Sequence, residues 1–244
     1  YPGFEGKVVV ATTLTGEGTE EEPYQIGTTD DLLEMARVID ISIDFAKAYY
    51  ELTASLDLQD VDFQGIGVQN AFQGVFDGNG HVIKNVNIHV KGKELTGFFH
   101  SAEGAVIQNL GIESGMVRGQ KKTGALVGKA MQTTILNCYN NATVRGIEDV
   151  GGLVGMLNNS ELLNSYNSGE VIASKSIGGL AGSVCRSLNP DVPVSIKNCY
   201  NIGHVHWGTY SGKVAGYAET GANLAEYVNV FYNREDVPDI AAGN

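Results

Sequence analysis

The chain contains 244 residues, of which 43% are apolar, and this is enough to form a sizeable hydrophobic core in one large domain or two small ones. Its 28 acidic and 16 basic residues give a formal net charge of −12, which argues against sequence-independent binding to nucleic acid or to an anionic membrane. There is no apolar run of about 18 residues, and the start of the chain does not resemble a secretion signal. We therefore expect a segment that is not inserted in a membrane and whose export signal, if the protein is exported, lies outside this sequence.

Residues 1–47 predict a cap that contains one amphipathic helix. Thr28 or Thr29 can cap this helix, and two aspartates follow where the helix dipole favours negative charge. The apolar face of the helix consists of Leu32, Met35, Ala36 and Ile39. Because this face needs a surface to cover, we expect the cap to close the open first coil of a repeat domain at 48–244, the two forming one cooperative unit.

From Tyr50 the hydrophobic pattern changes to a period of two, which indicates β-strands. Two strand-like pieces then flank the four residues Asp77 to Gly80, DGNG, which suit positive φ angles and a tight turn. A calcium loop is the alternative, but the carboxylates do not follow the spacing of an EF-hand. We predict a turn here and no metal site.

A five-residue pattern then returns five times. Its copies are TGFFH at 96–100, GALVG at 124–128, GGLVG at 151–155, GGLAG at 178–182 and GKVAG at 212–216. Their first residues are 28, 27, 27 and 34 positions apart, which is a nearly fixed period. Such a period is typical of stacked units that cannot bury an apolar face alone, and it predicts an array of about six coils of about 27 residues.

Two columns of side chains recur in step with this pattern. An asparagine follows an apolar strand position in each unit, at Asn85, Asn109, Asn137, Asn164, Asn198 and Asn229. Asparagine tolerates a left-handed bend, and its amide can donate to one neighbouring coil while it accepts from the other, so we predict a structural asparagine ladder. The second column consists of Val90, Val117, Val144, Val171 and Val205. It predicts a further inward strand and therefore three strands per turn.

The period is interrupted once. About seven extra residues, SLNPDVP at 187–193, precede the last copy of the pattern, and loops on a rigid repeat are common sites of specificity. We assign Cys185 to the same insertion. Cys138 and Cys199 fall in one column two coils apart, and at about 4.8 Å per coil this separation exceeds disulfide reach, so we expect three free thiols.

The array resembles a known family. The GGLVG and GGLAG cores, each followed by NSYN or NCYN and a G-x-V step, are similar to the GLUG repeat of bacterial secreted and surface proteins over roughly residues 72–233. The resemblance implies a right-handed, single-stranded parallel β-helix and an extracellular or cell-surface location. It implies no reaction, because the motif is architectural. His100 and Lys213 depart from the pattern in the first and last units.

A basic stripe follows the valine column and is a candidate ligand-binding site. Its members are Lys91, Arg118 and Arg145, with Ile172 and His206 continuing the column. On a flat sheet such side chains would line up about every 4.8 Å and could contact the charges of an anionic glycan. The alternative is that Glu94, Glu148 and Asp149 neutralise the stripe as surface ion pairs.

A column of tyrosines and one tryptophan are the other candidates. Tyr139, Tyr166 and Tyr200 stand two residues after successive ladder asparagines. They would form a stacking platform for sugars if exposed and an aromatic core stack if buried, and we favour burial. Trp207 is either an exposed sugar platform or a cap over the end of the core.

No constellation of catalytic residues is recognisable. A polysaccharide lyase would need a base beside a neutralised carboxylate, and the basic candidates do not fall into such a cluster. These candidates are His81, Lys84, His89, Lys91, Arg118 and Arg145. We predict a noncatalytic adhesion or glycan-contacting module of a larger bacterial surface or secreted protein, without metal or cofactor, whose partner is an extracellular polysaccharide or a surface protein and not nucleic acid. The alternatives are a structural spacer and a polysaccharide lyase or hydrolase.

Overall fold

The structure is a computed structural model that describes residues 10–90, 92–186, 194–218 and 225–233. These residues form an all-β parallel solenoid of about seven turns with two helices, which confirms the predicted fold class. The count exceeds the six predicted coils because the stack begins before the repeat motif is recognisable. Its first strands, β1 (Tyr24–Ile26) and β2 (Tyr49–Leu52), pair in parallel, and β1 lies within the segment predicted as the cap.

Five sheets run along the described part of the solenoid, and all their strand pairs are parallel. Sheet 1 stacks β1, β2, β4 (Val75–Asp77), β8 (Val106–Gln108), β13 (Thr134–Leu136), β18 (Glu161–Leu163), β23 (Val194–Lys197) and β27 (Ala225–Val228). Sheet 2 stacks β3 (Leu56–Asp57), β5 (Val82–Lys84), β9 (Gly111–Ile112), β14 (Tyr139–Asn140), β19 (Tyr166–Asn167), β24 (Tyr200–Asn201) and β28 (Phe231–Tyr232). Sheet 3 stacks β6 (Val86–His89), β10 (Gly115–Arg118), β15 (Thr143–Arg145) and β20 (Val171–Ile172). Sheet 4 stacks β11 (Lys121–Gly124), β16 (Glu148–Gly151), β21 (Lys175–Gly178) and β25 (Thr209–Gly212). Sheet 5 stacks β7 (Phe99–Glu103), β12 (Val127–Met131), β17 (Val154–Asn158), β22 (Ala181–Cys185) and β26 (Ala215–Ala218).

A complete coil visits each sheet once, so it contains five strands, and the prediction of three strands per turn was wrong. The strands of sheet 2 are only two or three residues long. A period-two pattern cannot be recognised over two residues, so strands as short as these cannot be predicted from the sequence.

The predicted helix is α1 (Thr29–Ile41), and Thr28 is its N-cap. The Thr28 hydroxyl accepts from the backbone N–H of Asp31, whose carboxylate accepts from the backbone N–H of Thr28, which completes a capping box. A short helix, α2 (Ile43–Ala46), follows. The buried face of α1 joins the main core through Leu32, Met35, Val38 and Ile39, whereas Ala36 is only partly buried.

The predicted turn at Asp77 to Gly80 is present. The backbone N–H of Asn79 donates to Asp77 Oδ1 at 2.7 Å, and that of His81 donates to the Gly78 carbonyl at 2.7 Å. Asn79 and Gly80 have φ angles of 50° and 75°. The turn is a corner of the solenoid, because it carries the chain from β4 in sheet 1 to β5 in sheet 2.

The repeated apolar residues fill two separate cores. Both columns of the GLVG pattern, Leu126, Leu153 and Leu180 and also Val127, Val154 and Ala181, are fully buried in the main core, so neither is an exterior face. A smaller core lies between sheets 3 and 4. It consists of Ala125, Val144, Val150, Val171, Ile177 and Val205.

The final glycine of each GLVG pattern allows sheet 4 to pack closely on sheet 5. A Cβ atom on Gly155 would lie 2.2 Å from the Lys122 carbonyl carbon and 2.4 Å from the Thr123 backbone nitrogen. Gly182 has the same relation to Asp149 and Val150 one coil further. The repeat therefore requires glycine at this position because backbone of the preceding coil occupies the space of a side chain.

His100 occupies this glycine position in the first unit, and it is 2% exposed. Its Nδ1 lies 2.6 Å from the Leu95 carbonyl oxygen and its Nε2 lies 2.6 Å from that of Gln64. Burial lowers the pKa of this imidazole, while the two carbonyl contacts raise it. Through His100, the first GLVG-type strand therefore contacts the connection between β3 and β4, which contains Gln64.

The insertion predicted at 187–193 lies outside the described residues. The prediction that Cys185 belongs to it is wrong, because Cys185 is the last residue of β22 and pairs in register with Asn158. In the part of the chain that the structure describes, none of the three cysteines forms a disulfide. Burial raises the pKa of the Cys138 thiol to about 12 and that of Cys199 to about 11.

We expect one thiol to react in the folded protein. Cys138 and Cys199 are buried and held in the protonated form by burial, whereas Cys185 is half-buried. A thiol-reactive reagent at neutral pH should label Cys185 in native protein and all three cysteines in denaturant, as counted by mass spectrometry. Cys185→Ser should remove the native reaction. Labelling of Cys138 without unfolding would contradict this packing.

Candidate functional site

The structure places five of the six predicted ladder asparagines in one column. Asn109, Asn137, Asn164, Asn198 and Asn229 follow the ends of consecutive sheet 1 strands, with φ angles between 48° and 54°. From Asn137 upwards, each Nδ2 donates to Oδ1 of the asparagine one coil below, at 3.0 to 3.2 Å. Asn109 Nδ2 donates to Asp77 Oδ1 at 2.9 Å, so the last residue of β4 accepts the lowest bond of the ladder.

Asn85 does not belong to this ladder, which corrects the prediction. Ile83 pairs with Ile112 in sheet 2, whereas Ile107 pairs with Phe76 in sheet 1. Asn85 therefore lies at a different corner, where its Nδ2 donates to Asp57 Oδ1 at 2.7 Å. Its φ of 54° equals that of Asn109, because a left-handed bend is needed at both corners and residue type alone cannot distinguish them.

A second asparagine ladder is buried and was not predicted. Asn140, Asn167 and Asn201 are at most 1% exposed. Asn140 Nδ2 donates to Asn167 Oδ1 at 2.8 Å, and Asn167 Nδ2 donates to Asn201 Oδ1 at 2.9 Å. Each side chain also bonds backbone groups two residues ahead, as Asn167 does with Gly169. The signal in the sequence was the final asparagine of the repeated NCYN and NSYN segments.

The tyrosine column lies on the outside of sheet 2, so the favoured interpretation as a core stack is wrong. Its rings are parallel to within 3°, with centroids 5.1 Å apart between Tyr139 and Tyr166 and 4.8 Å apart between Tyr166 and Tyr200. Tyr139 and Tyr166 are half-buried and Tyr200 is 38% exposed. The strands are two residues long, and the buried asparagine takes the inward position, which turns the tyrosine outward.

The faces of the stacked rings are largely covered and their edges are open. Tyr139 lies over Gly111, where a Cβ would come within 2.4 Å of the ring. The Tyr139 hydroxyl donates to Glu113 Oε2 at 2.6 Å, and burial together with this bond raises the pKa of the phenol. In the described part of the chain, the hydroxyls of Tyr166 and Tyr200 have no protein hydrogen bond. They remain available to a ligand.

The basic stripe is shorter than predicted. Arg118 pairs in register with Arg145 and, one coil below, with His89, so His89 takes the place assigned to Lys91. Lys91 itself lies outside the described residues. The valine column shifts in the same way, since Val117 pairs with Ile88 and not with Val90. The first coil is two residues longer here than the period suggests.

Two of the three acidic residues that were expected to neutralise the stripe form ion pairs with lysines of sheet 4 instead. Lys121 Nζ lies 3.1 Å from Glu94 Oε1, and Lys175 Nζ lies 2.5 Å from Glu148 Oε1. Asp149 is half-buried, and burial raises the pKa of its carboxyl. Within the described ranges, Arg118 and Arg145 form no ion pair.

Trp207 is 60% exposed and follows the last stripe position, His206, so it does not cap the core. Two further exposed aromatics, Tyr210 and Tyr217, contact each other edge to face with centroids 5.9 Å apart. Sequence analysis did not single them out, because they have no counterparts in other coils. The exposed aromatic surface therefore lies mainly on the C-terminal coil.

The candidate bases do not converge with carboxylates in one cleft. His81 lies in the turn before β5 of sheet 2, and His89 is the last residue of β6 in sheet 3. His206 Nε2 contacts Glu170 Oε1 at 2.6 Å on the surface. Among the described residues, no group of three or more His, Cys, Asp or Glu side chains could hold a metal ion. No helix in these ranges is long and apolar enough to cross a membrane.

These features define a parallel β-solenoid repeat protein stabilised by asparagine ladders. No protein-family model matches the chain, so the GLUG likeness remains a resemblance. The chain is 31% identical to halomucin of Haloquadratum walsbyi (strain DSM 16790 / HBSQ001) over 147 residues, which is 54% of this chain and 2% of that protein's length. Its fold is similar to that of a Bacteroides ovatus protein named "putative immunoglobulin A1 protease", with a TM-score of 0.66, 20% identity, and coverage of 93% of this chain and 83% of the other.

Proposed function

We propose that this chain is a noncatalytic, extracellular module of a larger surface or secreted protein, and that it contacts glycans through the outer face of sheet 2. The similarity to halomucin supports an extracellular or surface location. Three candidate bases, His89, Arg118 and Arg145, are neighbours in sheet 3, but no carboxylate of the described residues forms an ion pair with them, and this supports a noncatalytic role. The name of the Bacteroides ovatus neighbour offers proteolysis as the alternative activity.

The observation that carries the proposal is the regular exterior column of tyrosines beside the asparagine ladder. Tyr166 and Tyr200 present ring edges one coil apart, and their hydroxyls bond no described residue. The ring stack fixes their spacing at 4.8 Å. Asn164 and Asn198 expose their amides in the neighbouring column. A polysaccharide lying along the solenoid axis would meet the same donors and acceptors on both of these coils.

A structural spacer is the second candidate function. Ring faces that cover one another stiffen the stack and leave little open π surface for a sugar. A spacer needs only this rigidity. It would show no glycan binding that depends on the Tyr166 and Tyr200 hydroxyls.

Removing two hydroxyls without disturbing the stack tests the proposal. In Tyr166→Phe/Tyr200→Phe the rings remain, so we expect binding to the best ligand of a neutral glycan panel to weaken about tenfold, as measured by calorimetry. Tyr210→Phe/Tyr217→Phe is the matched control, because it removes two exposed hydroxyls on other sheets. Unchanged binding in the sheet 2 variant would exclude this surface.

The same preparations should be incubated with polysaccharides and with immunoglobulin A1. We expect no unsaturated oligosaccharides and no peptide fragments, as monitored by ultraviolet absorbance and mass spectrometry. Release of either product by wild-type protein would replace the noncatalytic proposal with an enzymatic one.

A further inference from the structure

We propose that Arg118 and Arg145 form a clamp for one oxyanion, a carboxylate or a sulfate, carried by an acidic polysaccharide. The two residues end β10 and β15 and are direct partners in the parallel register of sheet 3. Their backbones are therefore about 4.8 Å apart. Val117 and Val144 beside them are fully buried, so the alternation of the strands turns both arginines outward, where they are exposed.

At several other places on the described solenoid, charged residues on neighbouring coils have opposite signs and pair with each other. Three such pairs link consecutive coils at 2.5 to 3.1 Å: Glu94 with Lys121, Glu148 with Lys175, and Glu226 with Lys197. Arg118 and Arg145 are instead two like charges placed directly opposite, an arrangement that destabilises a sheet when nothing lies between them. A bound anion would convert this repulsion into two attractions.

The groups around the pair leave the guanidinium groups available. His89 is the register partner of Arg118 on the coil below, and Ile172 is the register partner of Arg145 on the coil above. The carboxylate of Glu170, on the approach to β20, has Oε1 2.6 Å from His206 Nε2. Neither guanidinium group forms an ion pair or a hydrogen bond among the described residues. The positive charge is thus not neutralised within this part of the chain.

The chemistry of the pair selects an oxyanion. A guanidinium presents planar donors that match the two oxygens of a carboxylate or sulfate, and two guanidinium groups one coil apart can share one such group. A polymer of phosphates is disfavoured, because the chain has a formal net charge of −12 even with both arginines counted, and its other residues would repel a continuous polyanion. A polysaccharide with separated acidic groups meets the clamp at a single point.

The experiment compares three probes on wild-type protein at low ionic strength: hyaluronan, whose carboxylates are separated by uncharged sugars, κ-carrageenan, whose sulfates are separated in the same way, and uncharged dextran. We expect binding to at least one acidic probe and none to dextran, with the difference between carboxylate and sulfate identifying the preferred anion. Arg118→Ala/Arg145→Ala should weaken that binding at least about tenfold. Arg118→Lys/Arg145→Lys should fall between the two, because the charge remains but the planar fork is lost.

The control variant is Lys121→Ala/Lys175→Ala, which removes the same charge from sheet 4, where both lysines are already paired. It should bind the acidic probe about as well as wild type. Equal weakening in both variants would show that binding depends only on the overall charge of the protein, and this would contradict the proposed clamp. Failure of wild type to bind either acidic probe, or equally tight binding of duplex DNA with the same arginine dependence, would also overturn it.

Thermal unfolding distinguishes a binding role from a structural one. Because the pair repels itself, Arg145→Ala should unfold at the same or a higher temperature than wild type. A clear decrease would show that the arginines stabilise the fold, and the proposal would fail. The site is on sheet 3 and the glycan surface proposed above is on sheet 2, so either can fail without affecting the other.

Discussion

Replacing Gly155 with alanine should lower the free energy of unfolding by about 3 kcal/mol or more. The new Cβ would lie 2.2 Å from the carbonyl carbon of Lys122, 2.4 Å from the nitrogen of Thr123 and 2.5 Å from the carbonyl oxygen of Gly128. All three atoms are backbone of neighbouring coils, so no side chain can move aside. Sheets 4 and 5 would have to separate locally, which should be visible as a reduced midpoint in urea unfolding.

The matched control for this substitution is Gly104→Asn. Gly104 has a φ of 65° and no atom within 4 Å of the position of a Cβ. Asparagine tolerates this conformation, so the change should cost about 1 kcal/mol or less. If Gly155→Ala were as mild as this control, the close packing of the two sheets would not be the reason for the repeated glycine.

Replacing Asn167 with alanine should be similarly severe, at about 3 kcal/mol. Asn167 is fully buried, donates to Asn201 Oδ1 and the Gly169 carbonyl, and accepts from Asn140 Nδ2. Its loss leaves buried partners above and below without a bond, and water cannot replace it there. Urea unfolding of the variant measures the cost.

Asn164→Gly serves as the comparison, because Asn164 belongs to the exposed ladder. Water can satisfy the partners on that surface, and glycine accepts the φ of 48°, so we expect a loss of about 1 kcal/mol. Equal losses for the two variants would mean that the buried ladder contributes no more to the free energy of unfolding than the exposed ladder.

The exposed ladder was predictable because its asparagines return with the period of the repeat, and parallel stacking follows once equivalent residues lie above one another. The first coil was harder. Asn85 has the same bend and the same short sequence context as Asn109, and only the hydrogen bonding of Ile83 to β9 shows that it occupies another corner. The two-residue shift from Lys91 to His89 has the same origin, since residues added at a corner change the register without changing the pattern.

The candidate site was harder to predict from the sequence than the fold, because it depends more on tertiary contacts. Tyrosine at a strand two residues long can face either way, and the buried bonds of Asn140, Asn167 and Asn201 decide that the rings point outward. Arg118 and Arg145 have no counter-ion among the described residues, because Glu94 and Glu148 pair with lysines of sheet 4. The sequence does not show which basic residue each carboxylate contacts.

By itself the sequence determined the period, the parallel stacking, the capped helix and the asparagines at repeated corners, because each of these depends on local backbone preference or on repetition along the chain. Tertiary structure alone decided the five-strand coil, the register of the first turn, the second core and the outward columns. These depend on which distant segments meet and on which side of a two-residue strand finds buried partners, and neither is encoded in a local pattern.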